Sequence, residues 1–256
     1  MTKPLAGRTA VVTGGSRGIG RAIAETLGAQ GALVAVHFGK NQKAADETVA
    51  AVKSAGGEAF SVQAELTEKG AAAKLFAAID AELIRRTGGV KFDILINNAG
   101  IAPFVGFADT TEAVMDEIYT VNVKALYFIT QEAVKRLNDG GRIVSTTSIV
   151  SRLPFPAVAP YSILKAPVDN LTKLLAAELG PRGINVNAVA PGVIATDMAE
   201  FVHTPDGEAM TLSKQALKRI GQAQDVADVV AFLAGPASRW VTGEIIEVGG
   251  GSGLTF

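Results

Sequence analysis

Short apolar runs alternate with longer stretches of helical period along this chain. The runs Thr9 to Val12, Leu33 to Val36, Glu58 to Gln63, Phe92 to Ile96, Ile143 to Thr147, Ile184 to Val189 and Ile245 to Val248 read as strands. Phe92 to Ile96 is apolar almost throughout, as expected of a strand buried on both faces. Helical patterns fill the intervals. They cover Arg21 to Leu27, Gln42 to Ala55, and a segment capped near Thr67 that runs to about Arg86. A long pattern opens at Asp109-Thr110-Thr111, passes Asn122 and reaches Leu137, where Gly140-Gly141-Arg142 would stop it. Another ends at Leu179-Gly180-Pro181, and the last, capped by Asp225, runs through Leu233. Strands alternating with helices predict an α/β fold around a parallel sheet. Pro167 falls inside the helix before Leu179. A proline there removes one hydrogen bond and strains the preceding turn, at ~3 kcal/mol, so a local kink is expected, with the Ile163 carbonyl freed.

The chain has 256 residues, of which 48% are hydrophobic and 19% charged, with a net charge of −1. One α/β sheet can absorb that length, and no repeat or linker divides it. A balanced charge gives no reason to expect nucleic acid as partner. Cysteine is absent, which excludes disulfides, thiolate catalysis and Cys-ligated zinc. His37 and His203, the two histidines, lack metal-ligand spacing, so no metal is expected. The stretch Met1 to Arg8 lacks the apolar core of a signal peptide, and no apolar run is long enough to span a bilayer. The expected setting is the cytoplasm, without a membrane partner.

Candidate chemistry starts at Thr13-Gly14-Gly15-Ser16-Arg17-Gly18-Ile19-Gly20, between the first strand and the first helix. A tight glycine turn feeding a helix N-terminus makes an anion site, because unpaired N–H groups and the helix dipole point into it. Side chains are unwelcome where a pyrophosphate must approach the backbone. A ligand-free strand-to-helix turn would use the same glycines, but the strand before and the helix after favour a dinucleotide. The second strand ends in His37-Phe38-Gly39-Lys40, with no carboxylate to bind a ribose hydroxyl. Arg17 and Lys40 are two cations at that corner, which favours the phosphorylated cofactor, NADP, over NAD.

Farther on, Tyr161 and Lys165 lie four apart, one turn of one helix face. A phenol titrates near ~10, too high for proton transfer at neutral pH. A neighbouring ammonium favours the phenolate and should lower that value, leaving a group able to give or take a proton near working pH. Ser148 stands at the end of the fifth strand, thirteen positions before Tyr161. Asn122 interrupts an apolar stretch, and a buried amide left without partners costs ~1–3 kcal/mol. It can staple or kink its helix.

The glycine spacing T-G-x-x-x-G-x-G, Asn97-Asn98-Ala99-Gly100, Asn122, Ser148, Tyr161-x-x-x-Lys165 and Pro191-Gly192, in that order, resemble the short-chain dehydrogenase/reductase family from Gly7 to Gly251. The resemblance implies a single Rossmann-type doubly wound domain over residues 1–256, with sheet order 3-2-1-4-5-6-7, helices on both faces and a substrate lid at about 195–220. It implies a catalytic set of Asn122, Ser148, Tyr161 and Lys165. Ser148 orients the carbonyl, Tyr161 transfers the proton, Lys165 tunes Tyr161 and binds the nicotinamide ribose, and Asn122 positions a water. It implies cofactor contacts from Gly14, Ser16, Arg17, Gly18, Ile19 and Gly20, from Phe38, Gly39 and Lys40, and from Ala64, Glu65 and Leu66. Asn98, Ala99, Gly100, Tyr161, Lys165, Pro191, Gly192, Val193, Ile194 and Thr196 complete that set. Glu65 stands where relatives usually carry Asp, and Gly249 where many carry Asp, so contacts there are altered. The implied activity is reduction of a ketone, 3-oxoacyl thioester-like or small, to a secondary alcohol with NADPH, by an enzyme similar to 3-oxoacyl-[acyl-carrier-protein] reductases. An alcohol or sugar dehydrogenase working in the oxidative direction is the alternative enzyme, and a silent cofactor sensor the alternative of another class. The family's habit is a dimer or tetramer through the helices of Asn122 and Tyr161.

Overall fold

The computed structural model describes residues 3–254. Met1 and Thr2, which open the N-terminal stretch read above, and Thr255 and Phe256 lie outside the described residues. The first half runs β1 (Thr9–Val12), α1 (Gly18–Ala29), β2 (Leu33–Phe38), α2 (Gln42–Ser54), β3 (Glu58–Gln63), α3 (Ala71–Thr87) and β4 (Phe92–Asn97). After it come α4 (Glu112–Tyr119), a π-helical turn (Thr120–Ala125), α5 (Leu126–Val134), β5 (Leu137–Thr146) and α6 (Ala159–Leu179). The chain finishes with β6 (Asn185–Pro191), α7 (Pro205–Ser213), α8 (Ala223–Ala234) and β7 (Ile245–Val248). The strands form one seven-stranded sheet in the order β3-β2-β1-β4-β5-β6-β7, as the sequence implied. Every neighbouring pair is parallel.

Alternate strand residues feed two cores. Val11, Ala35, Leu95, Ile143 and Val186 pack with Leu75, Phe76 and Ile79 of α3, Ile129 of α5 and Leu179 of α6. Ala10, Val12, Val34, Val36, Ile94 and Ile96 pack on the other face with Ile23 and Leu27 of α1, Val52 of α2 and Val226 and Val230 of α8. Each fully buried Leu, Ile or Phe contributes roughly 1.5–3 kcal/mol, so two covered faces hold the sheet rigidly. Connections leave β1 toward opposite sides, through β2 and through β4, and this switch point opens a crevice at the carboxyl ends of the strands.

Four local expectations change. The helix read as reaching Leu137 stops at Val134, and β5 begins at Leu137, before the two glycines. Leu137 is fully buried opposite Phe92, and the register against β4 shifts between Phe92 and Ile94. Gly140, at φ 74°, supplies the left-handed residue that such a bulge needs. Arg182 donates to the Val134 and Leu137 carbonyls, closing the helix end that glycine was expected to close. The cap of α3 is Gly70 instead of Thr67, whose hydroxyl donates to Glu65 Oε1. Asp225 acts from the third position of α8, accepting from the Gln222 N–H in a reciprocal box with Gln222 as cap. Helix α6 continues through Pro167 as one element. Ile163 and Pro167 are both exposed, so water can serve the freed carbonyl and the proline does not end the helix.

Candidate active site

The glycine turn between β1 and α1 is held from two sides. Gly14 has φ 63°, and a Cβ there would stand 2.9 Å from the Ala99 Cα. A Cβ on Gly20 would run into the Gly14 carbonyl oxygen. Only glycine lets the two backbones pass this closely. Thr13 was missed as an organiser. Its buried hydroxyl donates to the Ile96 carbonyl and accepts from the Asn98 and Ala99 N–H groups at 2.9 and 3.1 Å. Asn98 Nδ2 donates to the Thr13 and Gly14 carbonyls, both at 3.2 Å. His37 was missed as well. Its Nδ1 accepts the Gly14 N–H at 3.1 Å and its Nε2 donates to the Ala64 carbonyl at 2.9 Å. Both bonds require the neutral ring, and burial holds its pKa below the usual value. A histidine ending an apolar strand opposite the glycine turn was the available signal.

The structure brings several of the motif segments together. Gly18 faces Thr196, whose Cγ2 would lie 3.3 Å from a Cβ there. Thr48 ties α2 to the Ser16 carbonyl, and Ile19 packs on the core beneath. Leu66 is buried beside Thr13, Asn97 and Ala99. Gly192 N–H donates to the Val248 carbonyl, and Ala195 N–H donates to the Gly221 carbonyl, so Pro191, Val193 and Ile194 line a tethered strand exit.

The corner beyond Phe38 differs from expectation. Two cations without an anion were expected, yet Lys40 lies 3.6 Å from Glu65 and Arg17 lies 3.3 Å from Asp197. The ends of β2 and β3 are neighbours, which carries Glu65 beside Gly39 and Lys40. Arg17 and Asp197 are 74% and 70% exposed, and such pairs contribute only ~0–1 kcal/mol. Both cations are therefore free to exchange these partners for a phosphate.

Across the crevice, Asn122 occupies the π-helical turn and is fully buried. Single π turns concentrate at functional sites. Its side chain accepts from the Ile101 N–H at 2.9 Å and donates to the Ile101 carbonyl at 2.8 Å, stapling the loop after β4. A Cβ on Gly100 would meet Asn122 Oδ1 at 3.2 Å and Lys165 Nζ at 3.7 Å, so this loop touches both. Ser148 ends the strand exit after β5, nearly buried, and accepts the Val150 N–H. Lys165 is 3% exposed, donates to the Thr146 carbonyl at 2.8 Å and lies 5.6 Å from the Tyr161 ring centre.

The electrostatics run opposite to the sequence expectation. Burial pushes the Tyr161 phenol up to about 12, while hydrogen bonding with Ser148 draws it the other way. Burial also lowers Lys165 to about 8, against the raising influence of Asp169. At Tyr161 desolvation therefore outweighs the Ser148 hydrogen bond. Tyr161 stands as a protonated donor, and Lys165 is the group poised near working pH. Among the described residues, no cluster of His, Asp and Glu is grouped to hold a metal.

An anion cradle on one wall and a proton donor on the other place this molecule among the dinucleotide-dependent oxidoreductases. A family model described as enoyl-(acyl carrier protein) reductase matches residues 14–253. Versicolorin reductase 1 of Aspergillus parasiticus is 39% identical over 262 residues, covering 97% of each chain. The reductase LugOII, described as catalysing keto-reduction at C1 during lugdunomycin biosynthesis, superposes with TM-score 0.94 at 45% identity, over 98% of this chain and 100% of that one. The angucycline C-6 ketoreductase LanV with bound NADP gives TM-score 0.95 at 39% identity, over 98% and 97%. The chain belongs to the short-chain dehydrogenase/reductase family, and it is an oxidoreductase.

Proposed function

We propose that this protein reduces a ketone to a secondary alcohol with NADPH, with Tyr161 as proton donor. The observation that carries the reading is the half-buried Tyr161 within reach of Ser148 and Lys165, across the crevice from the glycine cradle. NADP fits that cradle, where α1 starts at Gly18 with no side-chain cap on its N-terminus, and Arg17 and Lys40 hold exchangeable partners for a 2′-phosphate. NADPH supplies the hydride when bound. Ser148 donates a hydrogen bond to the carbonyl oxygen, and Tyr161 gives that oxygen its proton. Lys165, anchored at Thr146, would hold the ribose hydroxyls of the cofactor and restore the proton to Tyr161. The Asn122 amide is tied to Ile101 through its oxygen and one N–H, and Asn122 would position the water that links Lys165 to solvent. Ketones of the kind that the angucycline C-6 ketoreductase acts on are favoured over 3-oxoacyl thioesters, a reading supported by the names of the relatives above. Residues 195–220 act as the lid of a single domain. Tyr119, Phe128, Ile163 and Leu174, exposed on α4, α5 and α6, support a homo-oligomer through that face.

Tyr161→Phe tests the reading through NADPH consumption over a panel of ring ketones and 3-oxoacyl thioesters. General acid catalysis supplies ~10²–10⁴ in rate, so turnover should fall by about three orders of magnitude while NADPH affinity holds. A variant as fast as the wild type would overturn it. Among the described residues no helix is long and apolar enough to cross a membrane.

A further inference from the structure

We infer that Phe104 and Phe201 form an aromatic gate that admits a flat fused-ring ketone in preference to a flexible acyl chain. The inference rests on the ketone reductase reading and names the substrate class of that same site. The two rings meet edge to face, 5.3 Å between centres at 69°. They come from two segments that leave the carboxyl ends of the strands, the loop after β4 and the stretch after β6. Phe104 stands three residues beyond Ile101, which Asn122 staples on both its N–H and its carbonyl. The next residue, Val105, bridges to Val158, three positions before Tyr161. Phe104 is therefore carried by backbone tied to the reacting wall. Phe201 belongs to the 3-10 segment Asp197–His203, whose geometry breaks at Ala199 (φ −123°, ψ 43°). Its stem is fixed where Thr196 covers Gly18 and Ala195 donates to Gly221.

One ring is thus fixed and the other is carried beyond a break in its segment. Phe104 is still 54% exposed, so its face is not spent on the protein. Aromatic pairs accept edge-to-face and offset-stacked partners alike, so a substrate ring can take the place of one contact and keep the other. Neither gate residue brings a charge, and the neighbouring lid side chains Met198 and Met210 are exposed and apolar. A second lid contact, Lys214 at 5.8 Å from the Phe155 ring centre, holds the far end to the loop before Tyr161. A planar ring entering beside Phe104 and Phe201 gains a stacked face on one and an edge contact on the other. An acyl chain gains neither, and it must be ordered along its length.

The experiment compares wild type with Phe104→Leu, Phe201→Leu and Phe201→Tyr. One arm measures kcat/KM with NADPH for 2-tetralone and for ethyl acetoacetate. The second measures the affinity of the NADP+ complex for 2-naphthol, which needs no turnover. The expected result is a fall of tenfold or more in the 2-tetralone to ethyl acetoacetate ratio for each Leu variant. A matching loss of naphthol affinity, its retention in Phe201→Tyr and unchanged NADPH affinity complete the expectation. A preserved ratio, or naphthol affinity untouched by both Leu variants, overturns the gate. Naphthol affinity that depends on the two rings in a wild type that turns over neither ketone would leave the gate standing and sink the reductase reading.

Discussion

At the amino-terminal edge of the sheet, the Asp93 carboxylate accepts from Arg8 at 2.8 Å, from the Thr9 N–H at 2.9 Å and from Asn138 at 3.0 Å. At the carboxyl-terminal edge, the Lys165 ammonium is buried more deeply, yet its hydrogen bond is to the single carbonyl of Thr146. Both are charged groups taken out of water. Asp93 is 8% exposed, and it is among the groups whose partners are all supplied by the chain. Lys165 and Tyr161 keep donor capacity in reserve, and the cost shows in titration values displaced to about 8 and about 12. A charge whose valences are spent within the protein holds strands together. A charge with valences left over is poised for a ligand, and stability is the cost of that readiness.

Removing the Lys165 ammonium gives the largest separation between these two ends. Lys165→Met should cut turnover ~100-fold or more, because proton transfer and ribose binding both fail, and it should weaken NADPH. Its melting temperature should stay level or rise, since an unfavourably buried cation is gone. A melting temperature that drops with turnover would mean that Lys165 serves the fold as Asp93 does. Next in size, Asp93→Ala should lower stability by about 2 kcal/mol, the cost of leaving the buried Thr9 N–H without its acceptor. Half of Arg8 is in water, which limits the loss from the ion pair itself. The Asp93→Ala enzyme should keep its wild-type kcat at a temperature where it remains folded, and a lost kcat there would break the comparison.

The same division explains what could be read from residues alone. Strands β1, β3 and β7 appear at their predicted limits because apolar content decides them locally. That Tyr161, Lys165 and Ser148 lie together was legible because spacing and chemistry coincide. The start of β5 was not, since Leu137 becomes a strand residue through its burial opposite Phe92, forty-five positions away. Asn122 was visible as a misplaced amide, but its π turn was not, as nothing in the local period marks i→i+5 bonding. The partners of His37, Gly14 and Ala64, were not legible because they come from two other segments. The direction of the Tyr161 shift was misjudged because the number of water molecules excluded around a phenol is a property of the fold, not of a four-residue interval.

The smallest effect, and the most discriminating, is a pair of opposite pH slopes. Lys165 titrates at about 8 in the folded chain, against an ordinary value of 10.5. Below pH 8 both states hold the proton, and the folded state carries the full burial penalty. As pH rises from 8 toward 10.5 the folded chain releases the proton first, and the unfolded chain binds more protons. Stability contributed by this group therefore increases with pH across that window, by ~1.4 kcal/mol for each unit separating the two values. Activity moves the other way, because kcat/KM reports the free enzyme and the ammonium is being lost, so ketone reduction should decline above about pH 8. Other titrating groups are removed from the stability measurement by subtraction. The melting temperature of wild type minus that of Lys165→Met should climb between pH 7 and pH 10 while wild-type kcat/KM falls. Asp93→Ala should leave both slopes as they are. A flat difference would place the Lys165 proton outside the folding equilibrium and make the two ends of the sheet electrostatically alike.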